Sequence, residues 1–330
     1  MDKMLSISVV LLGGTISMAP SKNEKGNSGE GVVPSITADE LCNAVPGIEK
    51  IASVKPKCIK LIASANLDIM DVILLKKIIE ELAEKDISDG VVIIQGTDTM
   101  EEMAFALDLM LDVKIPVIFT GAMRSANMVS ADGPSNILGA VIAATYKPLA
   151  NSGVVVLMND EIHAARFVQK CHTRDVGAFK SLNGGKVGQI CEGKVLLSAP
   201  VKKKQSFQIV NAHPVPKVGL IKATLGDPGD LLEYYISENY QGLVIEAFGA
   251  GHLPEKWLPL LDRVIAKMPV ILCSRTAEGP VFENSYGYPG AEIDLIARGL
   301  VPAGILDGPK ARLYLMISIM AGQEICKPDY

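Results

Sequence analysis

The sequence predicts two α/β domains, a larger N-terminal one on a mostly parallel sheet with flanking helices and a smaller C-terminal α/β domain. Three observations predict this. Short β-branched runs alternate with segments of helical periodicity, the pattern of strands joined by crossover helices. At 330 residues the chain exceeds one typical core. Near residues 197–217 the composition turns to "LSAPVKKKQSFQIVNAHPVPK", with three prolines and a lysine run, which reads as a connection between domains. The expected boundaries are 1–200 for the N-terminal domain, 201–217 for the linker and 218–330 for the C-terminal domain.

In the N-terminal part, "LSISVVLL" (5–12), "VVII" (91–94), "PVIFTG" (116–121) and "GVVVLMN" (153–159) read as strands. Val91–Ile94 is apolar throughout, as a strand buried on both faces must be. Helices fit residues 38–45, 68–85, 101–112 and 134–146, the first behind a capping box formed by Thr37 and Glu40. A second α/β series follows the linker, with strands at 218–223, 242–249 and 269–275 and helices near 228–238, 255–267 and 308–322.

With 48% hydrophobic and 21% charged residues, the chain has ample material for buried cores. The net charge of −5 is mild, and the one dense basic run, Lys202 to Lys204, reads as a solvated linker, so no nucleic-acid partner is expected. Six cysteines are scattered without CxxC pairs, and residues 1–20 lack the basic start and apolar core of a signal peptide. A reduced, cytoplasmic protein is expected. No apolar stretch approaches the ~20 residues that span a bilayer, so no membrane role is expected. Four widely spaced histidines without an HExxH pattern imply no metal site, and no cofactor is expected.

The polar residues of interest sit at strand ends. β-branched "VVII" runs straight into Gly96, Thr97, Asp98 and Thr99 and then into a helix, the position where open α/β sheets present ligand sites. Thr99 and Glu102 have capping-box spacing. Thr97 and Asp98 are explained equally well as turn residues or as functional ones. The first strand ends in "LLGGTISM", where Gly13 and Gly14 allow close backbone approach and Thr15 follows; the dinucleotide pattern GxGxxG is absent. Residues 119–136, "FTGAMRSANMVSADGPSN", form a long polar segment after another strand, as functional loops do. Residues 159–181 carry a further charged stretch.

Together, GGTI at 13–16, NAVP at 43–46, GTDTMEE at 96–102, GAMR…SADGP at 121–134, MND…K…T.DV..F at 158–179 and the C-terminal SR…G segment resemble the asparaginase/glutaminase family of threonine-dependent amidohydrolases. The resemblance extends over nearly the whole chain. It implies hydrolysis of the side-chain amide of L-asparagine to aspartate and ammonia. By matching position, Thr15 would be the nucleophile and Thr97, Asp98 and Lys170 a second catalytic group. Such chemistry needs a nucleophile, a proton path and stabilised negative charge on the tetrahedral intermediate. An amine near Thr97, with Asp98 alongside, offers a way to generate an alkoxide or an attacking water. The backbone N–H groups of Gly14 and Thr97, or of their neighbours, are candidate oxyanion donors.

The resemblance further implies that Asp98 holds the substrate's α-ammonium group, that Ser64 contacts its carboxylate and that the backbone of Ala122 faces the scissile amide. It implies a homodimer or homotetramer, its site completed by the C-terminal domain of a neighbouring subunit. His252 matches a substrate-contacting residue there, with Glu278 or Glu283 as its acidic partner.

The sequence departs from the family in two places. The lid after GGTI, residues 17–37, contains no tyrosine; Gly31 stands at the expected position with Glu30 beside it. Glu30, Tyr286 or Tyr288 would then have to assist Thr15. Ala65 replaces the glutamine commonly found after the matching serine. A different amide (glutamine, D-asparagine or an N-substituted asparagine) is therefore an alternative substrate, and a ligand-binding protein without turnover an alternative class.

Overall fold

Strand β1 (Ser6–Gly13) is the axis on which the N-terminal unit is built. In the computed structural model, which describes residues 4–22, 28–34, 36–198, 202–203, 206–209 and 214–328, with the side chains of residues 15, 18–22 and 28–34 outside that description, β1 pairs in parallel with two strands. These are β4 (Ser53–Ile62) on one side and β5 (Gly90–Ile94) on the other. Between β1 and β4 in the chain, β2 (Met18–Lys22) and β3 (Ser28–Pro34) form an antiparallel ribbon. Helix α1 (Ala38–Asn43) then starts behind the Thr37–Glu40 capping box, in which Glu40 N donates to Thr37 Oγ1 at 3.2 Å and Thr37 N to Glu40 Oε2 at 2.8 Å.

Helix α2 (Ile69–Glu84) leads to β5, α3 (Met100–Met110) to β6 (Val117–Thr120), and α4 (Gly133–Thr145) to β7 (Val154–Met158). β5, β6 and β7 continue the parallel set. β8 (Glu161–Ala164), β11 (Gly188–Cys191) and β12 (Lys194–Leu197) then extend the sheet antiparallel, in the order β12-β11-β8-β7-β6-β5-β1-β4. A separate antiparallel hairpin is formed by β9 (Val168–Lys170) and β10 (Phe179–Ser181). Residues of α1 and α4 share one core with Ile7, Val9, Leu11, Val92, Ile94, Ile118, Val155 and Leu157.

The antiparallel half lies outside the sequence expectation, and its turns show why it forms. Asn159 (φ 51°) with Asp160 (φ 61°), and Glu192 (φ 48°) with Gly193 (φ 71°), place both central residues of two-residue connections in the left-handed region. That is the type I′ turn, whose twist matches the flanking strands. Strand β4 is also unexpected, because Lys55, Pro56 and Lys57 interrupt any apolar run. It is an edge strand, where proline and lysine are tolerated and discourage further pairing.

The chain divides into two compact units, Met1–Ser206 and Phe207–Tyr330. In the second, β13 (Val218–Lys222), β14 (Gly242–Ala247), β15 (Val270–Ser274) and β16 (Val301–Pro302) form an all-parallel sheet in chain order. Helices α5 (Leu231–Ser237), α6 (Leu258–Ile265), α7 (Glu292–Ala297) and α8 (Gly308–Met320) accompany it. Its core surrounds the fully buried Trp257, whose Nε1 donates to Asp227 O at 2.9 Å.

Candidate active site

In the large sheet, β4 lies on one side of β1 while β5, β6 and β7 step away on the other, so the direction of winding reverses between β1 and β5. A crevice opens outside the carboxyl ends of the strands at such a reversal. The segments that meet here are packed at glycine distance. Gly14 has φ +97°, and a Cβ on it would lie 2.1 Å from Gly96 N; a Cβ on Gly96 would lie 2.7 Å from Ser64 Oγ. Glycine at both positions lets the turn after β1, the 3-10 turn Ser64–Asn66 and the turn after β5 converge.

Thr97 and Asp98 occupy the turn between β5 and α3, and Lys170 reaches them from the end of β9. Lys170 Nζ donates to Thr97 Oγ1 at 2.9 Å and to Asp98 Oδ1 at 2.6 Å. Thr97 is buried, whereas the Asp98 side chain is 70% exposed and Lys170 18%, so the cluster sits at a mouth with its hydroxyl inward and its carboxylate outward. The backbone N–H of Lys170 donates to Glu101 in the first turn of α3, so both the main chain and the side chain of Lys170 are tied to one strand–helix junction. An open cleft lined by Asp98, Glu101, Lys170, Cys171, His172 and Thr173 leads away from the cluster.

Thr99 corrects an expectation. It is the N-cap residue of α3, but its side chain makes no capping bond and the box with Glu102 does not form. Its hydroxyl lies 3.0 Å from Ser64 O, to which it donates, and accepts from Gln95 Nε2 at 3.1 Å. The hydroxyl accepts from the Gln95 amide instead of from an N–H of its own helix, and donates to a distant carbonyl.

Ala122 is buried at the start of the long loop after β6. A Cβ on Gly133 would meet Ile16 Cγ1 at 2.9 Å and Ala122 Cβ at 3.6 Å, which puts Ala122 near the residue that follows Thr15. Two side chains hold this loop. Asp132 accepts from the N–H groups of Met123 and Arg124, both at 2.9 Å. Asn136, buried on α4, donates to Gly121 O at 2.9 Å and accepts from Asn159 N at 3.0 Å, joining the loop to the β7–β8 turn. Asn159 and Asp160 in the MND segment therefore serve as turn residues.

In the second unit, His252 Nε2 lies 3.1 Å from Glu292 Oε2. Glu292 is fully buried at the start of α7, and its Oε1 accepts from Ser285 N at 2.9 Å and Tyr286 N at 2.6 Å. Burial opposes its charge, but these N–H donors and His252 outweigh burial and hold the carboxyl below the usual range. The acidic partner of His252 is thus neither Glu278 nor Glu283; Glu283 pairs with Lys327. The available signal was a glutamate opening the amphipathic run "EIDLIARGL". The rings of Tyr286 and Tyr288 pack on His252, with centroids 4.9 and 5.5 Å away.

Residues 6–203 match the family model for the N-terminal domain of asparaginase, and residues 217–327 match that for the glutaminase/asparaginase C-terminal domain. The chain belongs to the asparaginase family. L-asparaginase 2 of Escherichia coli K12 is 35% identical over 321 residues, covering 95% of this chain and 88% of that protein. The L-asparaginase 2 of Bacillus subtilis 168 is 30% identical over 319 residues, covering 95% and 82%. A crystal structure of a probable cytoplasmic L-asparaginase from Campylobacter jejuni superposes with a TM-score of 0.83 at 31% identity, covering 96% of this chain and 95% of that one.

The protein is an asparaginase-family amidohydrolase with the two α/β domains expected from its sequence. For this asparaginase-family chain, the backbone of Thr15 opens a one-turn 3-10 helix, Thr15–Ser17, in which Ser17 N donates to Gly14 O at 2.9 Å. The Thr15 side chain lies outside the described residues, as does that of Glu30; the backbone of Glu30 and Gly31 belongs to β3. Ser64 is buried, and Ala65 beside it is exposed on the same turn. Among the described residues, no helix is long and apolar enough to cross a membrane and no group of three or more His, Cys, Asp or Glu is placed to hold a metal ion.

Proposed function

We propose that the protein hydrolyses the side-chain amide of L-asparagine to aspartate and ammonia, with Thr15 as the nucleophile and Thr97, Asp98 and Lys170 as the second catalytic group. The observation that carries this reading is the double hydrogen bond from Lys170 to Thr97 and Asp98 at the winding reversal beside Gly14. An ammonium that donates to Thr97 Oγ1 leaves that hydroxyl's own proton pointing away from Lys170 and lowers the cost of negative charge on the oxygen. Attack of the Thr15 hydroxyl on the amide carbon would give a tetrahedral oxyanion facing the N–H groups of Gly14 and Thr97. Collapse would expel the amide nitrogen as ammonia, carrying the proton lost by the Thr15 hydroxyl, and leave an ester; water adding to the ester carbon beside Thr97 would release the aspartate carboxyl and return a proton to the Thr15 oxygen.

In the same reading, Ser64 receives the substrate carboxylate, Asp98 the α-ammonium and the backbone of Ala122 the amide. The exposure of Asp98 supports its role, because an outward carboxylate at a pocket mouth can accept from a further cationic group while its Oδ1 holds Lys170. The protein would act as a homodimer or homotetramer, with His252 and its partner Glu292 contributed by a neighbouring subunit. The six cysteines, all unpaired, support a reducing, cytoplasmic compartment. The similarity to a probable periplasmic L-asparaginase of Haemophilus influenzae, 34% identical over 320 residues, makes compartment a separate question from fold.

A second reading concerns substrate size. Ala65 stands exposed beside Ser64 where the family commonly has glutamine, which supports a larger, D- or N-substituted amide. Ammonia or amine release from L-asparagine, D-asparagine, L-glutamine and N-substituted asparagines, with Thr15→Ala as control, tests both readings. Efficient turnover of L-asparagine alone supports the first, turnover of another amide the second, and binding without release overturns both.

A further inference from the structure

Gln95, the residue before the Gly96–Thr99 turn, is fully buried, yet its Oε1 has no hydrogen-bond partner. A buried acceptor left unpaired costs stability, and an apolar side chain of the same shape would avoid that cost. The other end of the amide explains its presence. Thr99 Oγ1 has one proton, and its neighbour Ser64 O at 3.0 Å can only accept, so the proton goes there. Thr99 must then accept from Gln95, which fixes the amide with Nε2 toward Thr99 at 3.1 Å and leaves Oε1 over. The result is a one-way chain from Gln95 through Thr99 to the main chain of Ser64.

The chain ends on a turn with little room. Ser64 O also accepts from Leu67 N at 3.1 Å, closing the 3-10 turn, while Ser64 Oγ lies against Gly96 at the distance of a missing Cβ. A shift of the turn would move Ser64 Oγ relative to Gly96 and Thr97. We infer that Gln95 is a positioning residue that, through Thr99, sets the Ser64 hydroxyl where it receives the substrate's carboxylate and thereby sets affinity without taking part in bond breaking. The inference rests on the reading of Ser64 as the carboxylate contact.

The test measures binding of L-aspartate by calorimetry and KM and kcat for L-asparagine in the wild type, Ser64→Ala, Gln95→Met, Thr99→Val and Thr99→Ser. Gln95→Met keeps length and burial but removes the donor. The expected result is a rise of about fivefold or more in the L-aspartate Kd and in KM for Gln95→Met and Thr99→Val, the size expected for one lost neutral hydrogen bond, with kcat within about twofold and Thr99→Ser close to wild type. A Gln95→Met protein that binds L-aspartate like the wild type, while Ser64→Ala binds weakly, overturns the positioning role alone. A Gln95→Met protein that loses kcat instead of affinity overturns it as well. Unchanged L-aspartate binding in Ser64→Ala overturns the reading of Ser64, and the positioning role with it.

Discussion

The ammonium of Lys170 donates to the hydroxyl of Thr97 across 2.9 Å, although 73 positions separate the two residues in the chain. The bond joins the β9–β10 hairpin to the β5–α3 junction, and Glu101 anchors the same lysine by its backbone. The hairpin is thus registered to the turn at two points, which makes the separation of the two groups reproducible.

Removal of the ammonium should stop chemistry with little effect on stability. Lys170→Met is expected to lower kcat/KM by about 10²–10⁴, the usual contribution of a positioned proton-transfer group. Because Asp98 is mostly exposed, loss of this pair should change unfolding free energy by less than about 1 kcal/mol. Steady-state kinetics and urea denaturation of one preparation check both halves.

Thr15→Ala and Thr97→Ala should each abolish ammonia release while leaving a cooperatively folded protein. Circular dichroism paired with an ammonia assay is the measurement. Activity retained in both variants would remove the proposed chemistry.

Gly14→Ala should fail structurally. The new Cβ would lie 2.1 Å from Gly96 N, at a φ of +97° that side chains rarely adopt, so strain and overlap act together. A loss of about 3 kcal/mol or more is expected, read from the denaturation midpoint.

Asn136→Ala would strand Gly121 O, which is buried, and remove the acceptor of Asn159 N, which is only partly buried. A loss of about 1–3 kcal/mol is expected. Because the loop carrying Ala122 hangs from the same bonds, activity should fall with stability.

Stability should decline on mild acidification through His163. Burial in β8, against the opposing pull of Glu161 and with Lys180 and Lys186 nearby, lowers its pKa from 6.5 to about 4. The unfolded chain therefore binds the extra proton between those values, so this contribution is fully present above about pH 6.5 and is lost as pH falls toward 4. The change amounts to about 3 kcal/mol. Urea midpoints across that window should slope upward with pH, and His163→Gln should flatten the slope.

Much of the fold is written locally. β-branched runs and helical periodicity located β1, β5, β6, β7 and the helices between them to within a few residues, and the Thr37–Glu40 box forms as its spacing predicts. The antiparallel half was harder to see, since the short β8, β11 and β12 carry mixed polarity and depend on type I′ turns at Asn159–Asp160 and Glu192–Gly193. Edge strand β4 was hidden by the lysines and proline that suit an edge.

By itself the sequence determined which residue types stand at the strand ends, the two-domain α/β organisation and the motifs by which the family is recognised. The tertiary structure alone decided who meets whom. It brought Lys170 to Thr97, joined the Thr99 hydroxyl to Ser64 O, and set Glu292 against His252. The physical reason is that spacing rules act within one or two turns of chain, whereas a hydrogen bond goes to whichever acceptor the packing of the sheet brings within about 3 Å.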